Sequence, residues 1–317
     1  MTSPAATPPP PPRQMRATVK AALRARISGP FAALPAEAQG VVLMLCAIFM
    51  FSLMDLTAKG LVEREPPMMV VWARYASQTF WAFLFFSPRL RVLMRTRRIG
   101  LHMLRGSFMF GATFCFFVSL RHMQLAEALA VFEIAPLVIT ALAFLVLREP
   151  VGPRRIAGVC MGFVGALIII RPGTDVFSPI SLLPMGAAVC YAAYSIATRF
   201  MSDEEHPLTS FLYASAFGTV IATAMVPFIW QTPSMGDAAI MATFGVIGGF
   251  GQYFMILALS TASASVLAPI GYVGLPLGAM WGLLIFAEIP DRWTVAGALV
   301  IVGSGLYVWW RERRRAA

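Results

Sequence analysis

From about residue 41 onward the chain repeats one pattern, in which apolar stretches of about 20 residues alternate with short polar breaks. A helix of that length crosses the hydrocarbon core of a bilayer, which is about 30 Å thick. With 58% hydrophobic and only 13% charged residues, the chain is too apolar for a soluble domain. The pattern predicts an all-α integral membrane protein of ten transmembrane helices. The predicted spans are, in order, about 41–60, 68–87, 101–120, 125–147, 153–171, 180–199, 208–230, 238–259, 263–287 and 292–310.

The basic residues are distributed unevenly between the two sides of the predicted membrane. If the amino terminus is cytoplasmic, eighteen Lys and Arg residues fall in cytoplasmic segments and five in external ones. Cytoplasmic loops of membrane proteins carry such an excess, so we expect both termini to be cytoplasmic. The same rule accounts for the net charge of +10, which makes the lipid bilayer the expected partner rather than nucleic acid.

The chain contains an internal repeat between two polar tails. A shift of 139 residues superimposes its halves without a gap and places, for example, Pro88 on Pro227 and Glu149 on Glu288. Because each half holds five spans, the second half enters the membrane from the opposite side, which is typical of secondary transporters. The predicted domains are a Pro-rich basic tail (1–38), a first repeat (39–173, spans 1–5), a second repeat (178–310, spans 6–10) and a short basic tail (311–317).

Each half ends in a helix, a Glu, a short turn and an Ala-Gly helix. The residues are Leu147-Arg148-Glu149-Pro150 with Ala157-Gly158, and Phe286-Ala287-Glu288-Ile289-Pro290 with Ala296-Gly297. This arrangement resembles the drug/metabolite transporter superfamily with two EamA-type domains. The segments Phe51-Ser52-Leu53-Met54-Asp55 and Trp72-Ala73-Arg74 resemble its bacterial branch that includes uptake carriers for S-adenosylmethionine and riboflavin. The resemblance implies a transporter in the bacterial inner (plasma) membrane, and it leaves the substrate open.

Ionisable side chains inside the spans are costly and therefore mark candidate sites. Asp55 and Arg74 lie at similar depths, about 7 and 9 Å from the outer ends of spans 1 and 2. We therefore predict an ion pair between them, with either a structural role or a role in binding substrate. Glu133 lies near the midplane, where Pro136 should interrupt span 4. A carboxyl group there suits proton coupling or binding of a cationic group, and the alternative is a neutral acid hydrogen-bonded between helices.

The 139-residue shift replaces all three of these charges with tyrosines. Tyr194, Tyr213 and Tyr272 occupy the positions equivalent to Asp55, Arg74 and Glu133. They are candidate substrate-binding residues, although a stripe of tyrosines also serves helix packing. Two glutamines complete the candidate site: Gln78, one turn after Arg74, and Gln252, in the glycine-rich span 8.

Other features suggest architecture. Glu149 and Glu288 precede spans 5 and 10, where each carboxylate suits the N-terminus of the following helix. Gly158 and Gly297 allow close helix packing, and spans 5 and 10 are candidate surfaces for a homodimer. The four cysteines and three histidines show no metal-ligand spacing, so neither a metal nor another cofactor is expected.

These features favour a secondary transporter that moves a small organic metabolite by alternating access, with proton coupling or exchange. A membrane-embedded enzyme acting on a lipid-like substrate is an alternative, but its usual catalytic motifs are missing from the sequence. A passive channel is a second alternative. The inverted repeat with paired proline interruptions of spans 4 and 9 favours a carrier over a channel.

Overall fold

The computed structural model describes residues 34–96, 98–148, 153–172, 178–200, 207–262 and 264–316, and these form helices joined by short connections. We number the helices of eight or more residues in chain order. Their bounds are α1 Ala36–Val62, α2 Pro67–Phe86, α3 Ile99–Leu120, α4 Leu125–Phe132, α5 Ala135–Leu147, α6 Pro153–Ile170, α7 Leu183–Arg199, α8 Pro207–Met225, α9 Met235–Thr261, α10 Gly274–Phe286 and α11 Arg292–Ala316.

Within the described ranges, eight helical stretches are long and apolar enough to cross a membrane. The predicted spans 2 and 5 are not among them. Helix α2 has 20 residues, but Arg74, Ser77 and Gln78 make it less apolar. In span 5 the apolar part is a shorter helix, Ile156–Ile170. The chain is therefore an all-helical integral membrane protein with at least eight candidate spans.

The predicted interruptions of spans 4 and 9 are present. Helix α4 ends before Glu133, and α5 begins two residues later with Pro136 in its first turn. Proline lacks an N–H group and cannot continue the hydrogen-bond ladder of the preceding turn. The segment before α10, Ala268–Val273, is a 3₁₀ helix that contains Pro269.

The bounds of several helices repeat after 139 residues. Helices α5 and α10 both have 13 residues, and their first residues and last residues are each 139 positions apart. Arg148 and Ala287, which follow them, both adopt a left-handed conformation with φ of 53°. Their backbone N–H groups donate to the carbonyls of Ala143 and Gly282. The two halves therefore repeat local backbone geometry as well as sequence register.

The packing of the helices is also paired. The shift relates α1 to α7, α2 to α8, α3 to α9, α5 to α10 and α6 to α11. Helix α1 packs on α9 and its equivalent α7 packs on α3, while α2 packs on α9 and α8 packs on α3. The α5–α7 contact likewise matches the α10–α1 contact. Helix α2 packs on its own repeat equivalent α8, and α6 packs on its own repeat equivalent α11.

The shortest ion pairs between described residues gather at one end of the bundle. They join Lys59 to Glu288 at 2.9 Å, Arg64 to Asp237 at 2.8 Å and Arg171 to Asp291 at 2.7 Å. We call this the Lys59 end. At the opposite end, the start of α1 meets the end of α9, and the Arg98 guanidinium donates to the carbonyl of Phe200. We call it the Arg98 end.

Glycines allow close packing between α6 and α11. A Cβ atom on Gly297 would lie 2.6 Å from the carbonyl oxygen of Gly165, and one on Gly158 would overlap the side chain of Val308. The two predicted glycines thus bring α6 and α11 together within one chain.

Candidate functional site

Two arginines and two carboxylates lie inside the bundle between its two ends. Arg74 is on α2, Arg105 on α3, Asp55 on α1 and Glu133 at the end of α4. The arginines are 9% and 2% exposed, whereas both acids are half-buried. Four interior charges that sum to zero are unusual in membrane helices, where isolated charges are strongly disfavoured.

Arg74 binds a neighbouring helix instead of the carboxylate that we predicted. Its Nη1 donates to Thr113 Oγ1 at 2.6 Å, and its guanidinium lies over the rings of Tyr75 and Phe117 at 5.5 and 5.6 Å. Among the described residues it makes no ion pair with Asp55, although the two charges are within electrostatic range. The predicted direct pair is therefore wrong for this structure. Equal depth does not fix the direction in which each helix turns its side chain.

The Arg74 Nε is buried and unsatisfied, and the half-buried Asp55 carboxylate beside it has no described protein partner. The Nε is buried without a hydrogen-bond partner, and the carboxylate has no partner among the described side chains or backbone groups. Buried groups of this kind usually find partners, and unpaired ones often mark functional sites. This pair can therefore receive a polar ligand from the interior.

Glu133 lies among tyrosines from the second half of the chain. It is within electrostatic range of both Tyr191 and Tyr272. Its carboxylate has no hydrogen-bond partner in the described ranges. The Tyr272 hydroxyl lies against Gly305 of α11, where a side chain would collide with it. The structure thus brings together Glu133 and Tyr272, two of the predicted site residues.

Tyr194 belongs to the same group of interior aromatic side chains. Its ring is 5.8 Å from that of Tyr191, which in turn lies 5.6 Å from Phe132. The hydroxyl groups of Tyr191 and Tyr194 have no hydrogen-bond partner among the described residues. The rings offer a surface on which a flat ligand can stack, beside hydroxyls that can bind it.

Arg105 lies over the ring of Tyr194, although the site predicted from the sequence does not include it. Its guanidinium carbon lies 4.9 Å from the Tyr194 ring, and its Nη2 donates to the Ser210 carbonyl at 2.6 Å. The signal in the sequence was that Arg74 and Arg105 are the arginines that lie deepest in the predicted spans. No acid at the same depth suggested a partner for Arg105.

The remaining predicted site residues divide into two groups. Tyr213 donates to the Met94 carbonyl at 2.8 Å and stacks on His102, and Gln78 donates to Ser215 at 2.7 Å. Both residues thereby hold helices together. Gln252, on α9, is half-buried, and its amide group has no described hydrogen-bond partner. It is available to a ligand.

Glu288 has a different partner from the one predicted. Its Oε2 accepts from the Leu125 N–H at 2.8 Å, so it caps α4, and its Oε1 pairs with Lys59. The start of α11 is capped instead by Asp291, which accepts from the Thr294 N–H at 2.7 Å. Burial alone would raise the pKa of Asp291, but its bonds from Thr294 and Arg171 lower it. The equivalent Glu149 lies outside the described residues.

Within the described ranges, no group of three or more His, Cys, Asp or Glu side chains is placed to hold a metal ion. The arginines, acids and tyrosines of the interior offer ionic, hydrogen-bonding and stacking contacts. A bundle of apolar helices with such an interior defines an integral membrane transporter.

Comparison with known proteins gives the family. The EamA-like transporter family model matches the chain twice, over residues 38–171 and 178–310. The chain belongs to the EamA-like transporter family. It is a transporter of small molecules and not an enzyme, as predicted.

Named relatives are bacterial transporters. A riboflavin transporter of Brucella anthropi is 32% identical over 68% of this chain and 78% of its own length. A pseudopaline exporter of Pseudomonas aeruginosa is 29% identical over 83% of this chain and 93% of its own length. An S-adenosylmethionine uptake transporter of Rickettsia prowazekii is 26% identical over 89% of this chain and 96% of its own length. A solved crystal structure shares the fold with a TM-score of 0.57, at 20% identity, over 84% of this chain and 95% of the other.

Proposed function

We propose that this chain is a secondary transporter that works by alternating access through ten spans in two inverted five-helix repeats. The 139-residue register, the paired helix contacts and the two family matches support this arrangement. Inverted repeats permit alternating access because the halves can exchange conformations about a central site. Residues 39–173 and 178–310 are the proposed repeats.

We propose that both termini face the cytoplasm of a bacterium and that the protein resides in the inner membrane. The distribution of Lys and Arg residues supports this orientation, because eighteen of them fall on the proposed cytoplasmic side. In this orientation the Lys59 end faces outward and the Arg98 end inward.

The proposed substrate is a small organic metabolite with a positively charged group and a flat ring. One observation carries this proposal: the carboxylates of Asp55 and Glu133 have no described partner inside the bundle. A cationic group supplies the missing partner, and the rings of Tyr191 and Tyr194 suit a flat group. S-adenosylmethionine, carried by the Rickettsia relative, has both groups. Riboflavin, carried by another relative, has the ring without the charge.

We further propose that Glu133 couples transport to protons. Its carboxylate lies at the break between α4 and α5, where a change of protonation acts directly on the interior. A carboxyl group that alternately binds a proton and a cationic substrate links the two movements. Exchange of one metabolite for another remains the alternative mode of coupling.

A homodimer through α6 and α11 is a further proposal. Their outward side chains, among them Met161 and Leu299, are exposed and apolar. Such a surface suits either lipid or a second copy of the chain.

Ligand-dependent thermal unfolding of the purified protein tests the choice of substrate. We expect S-adenosylmethionine to raise the unfolding temperature, because a ligand of the folded state stabilises it. The Asp55→Asn variant should lose most of this increase. Riboflavin should raise the unfolding temperature of the wild type by less than S-adenosylmethionine does. An increase with riboflavin alone would contradict the proposed charge requirement. Unitary currents in planar bilayers would instead support the passive channel.

A further inference from the structure

Arg105 is a buried cation whose binding capacity is only partly used. Its side chain has a single described hydrogen bond, from Nη2 to the Ser210 carbonyl, and it lies over Tyr194. Its Nε is buried and has no hydrogen-bond partner. A charged donor left unpaired in the interior is costly, so a further role would account for its presence.

The equivalent position in the other half of the chain does not hold an arginine. The residue 139 positions later is Phe244, which is fully buried and packs 5.9 Å from Phe117. An apolar side chain therefore fills the equivalent place in the other half. The second half of the chain therefore has no counterpart of the Arg105 charge at this position.

The surroundings of Arg105 match those of Arg74 at another level of the bundle. Arg74 lies within electrostatic range of Asp55. Arg105 lies over the ring of Tyr194, which is the repeat equivalent of Asp55. Arg105 and the Arg74 acceptor Thr113 are eight residues apart on α3, about 12 Å along the helix. One arginine thus lies toward the Lys59 end and the other toward the Arg98 end.

Tyr75 connects these two levels. Its hydroxyl donates to the Met109 carbonyl, midway along α3 between Arg105 and Thr113, and it is within electrostatic range of Tyr194. Tyr75 therefore contacts α3 between the levels of the two arginines.

We propose that Arg105 is a second substrate-binding arginine that holds a carboxylate group of the transported metabolite. A guanidinium presents several N–H donors in a plane that matches a carboxylate, and the Nε of Arg105 is still unused. The proposal rests on the proposed transport function and adds an anionic group to the substrate. The substrate class becomes a zwitterion, with its cationic part at Asp55 or Glu133.

Access to Arg105 follows from the same conformational cycle. Arg105 joins α3 to α8 through Ser210 and contacts α7 through Tyr194. Opening toward the Arg98 end separates these helices, exposes the guanidinium and allows a carboxylate to replace the contacts that are lost.

A pair of ligands that differ only in the carboxylate tests this proposal. Binding of S-adenosylmethionine and of decarboxylated S-adenosylmethionine is measured for the wild type, Arg105→Gln, Arg105→Lys and the exposed control Arg121→Gln. We expect the wild type and the control to prefer the carboxylate form about tenfold, Arg105→Lys to retain part of this preference, and Arg105→Gln to lose it. An unchanged preference in Arg105→Gln would overturn the proposal.

A second arm uses the wild-type protein and does not depend on S-adenosylmethionine. Phenylglyoxal modifies arginines, and mass spectrometry measures its reaction with Arg105 in the presence of phenylacetate or phenethylamine. We expect phenylacetate, but not phenethylamine, to slow modification of Arg105 several-fold while Arg121 reacts equally in both. If neither form of S-adenosylmethionine binds, S-adenosylmethionine is rejected as the substrate. The modification experiment still tests whether Arg105 binds a carboxylate. Equal modification with both probes, or no modification of Arg105, would refute the carboxylate role.

Discussion

Lys59 and Glu288 form a buried ion pair, with 2.9 Å between Nζ and Oε1. The Lys59 ammonium also donates to the carbonyls of Leu120 and Met123, at 2.9 and 2.8 Å. Glu288 in turn accepts from the backbone of Leu125. The pair therefore joins the ends of α1, α3 and α10 to the start of α4 at the Lys59 end. Opening that end during transport would require this network to separate.

Removing either partner of the pair should destabilise the protein. A single Lys59→Met or Glu288→Gln change leaves buried polar groups unpaired, which typically costs about 3–5 kcal/mol. We expect each variant to unfold several degrees below the wild type in detergent, and the double variant to recover part of the loss. Glu63→Gln is the control, because Glu63 is 3.7 Å from Lys59 and its side chain is 46% exposed. Single variants as stable as this control would show that the network does not hold the Lys59 end.

Adding one methyl group at Gly297 should disturb the α6–α11 contact. Its Cβ would lie 2.6 Å from the Gly165 carbonyl oxygen and 2.5 Å from Ile169, so the helices must move apart. Overpacking of this kind costs about 1–3 kcal/mol. Gly303→Ala on the same helix is the matched control, because nothing lies within 4 Å of the added atom. We expect thermal unfolding to separate the two variants, and equal unfolding temperatures would contradict the packing described here.

Thr113→Val should weaken the anchoring of Arg74. The substitution keeps the shape of the side chain but removes the oxygen that accepts from Arg74 at 2.6 Å and bonds to Tyr75 at 3.0 Å. Leaving a buried charged donor unpaired costs about 1–3 kcal/mol. Thr223→Val serves for comparison, since Thr223 accepts only from the partly exposed Trp72. A smaller loss of stability in Thr113→Val than in Thr223→Val would argue against the anchoring role.

The sequence was sufficient to predict the helical class, most helix positions and the repeat, because apolar length and register follow directly from residue order. It was not sufficient to predict which side chains meet. Depth placed Asp55 beside Arg74, but the rotation of α1 and α2 about their axes, which tertiary packing sets, directs Arg74 to Thr113. Lys59 lies at the end of predicted span 1, but α1 continues to Val62 and buries Lys59.

Glu133→Gln should remove the response of transport to a pH gradient. The amide is similar in size but cannot exchange a proton, so a gradient imposed across proteoliposomes would no longer accelerate uptake of S-adenosylmethionine. Glu127→Gln is the control, since Glu127 lies near the charges of the Lys59 end and should keep the response. Proton-driven uptake of full strength in Glu133→Gln would exclude coupling through this residue.

Uptake of radiolabelled S-adenosylmethionine into proteoliposomes tests most directly whether the interior carboxylates select a cationic metabolite. We predict saturable uptake by the wild type and by Glu63→Gln. We predict that uptake by Asp55→Asn is slower by about tenfold or more, because the variant lacks the charge that pairs with the substrate. Wild-type uptake no faster than in protein-free liposomes, or equal uptake by Asp55→Asn, would contradict this selection.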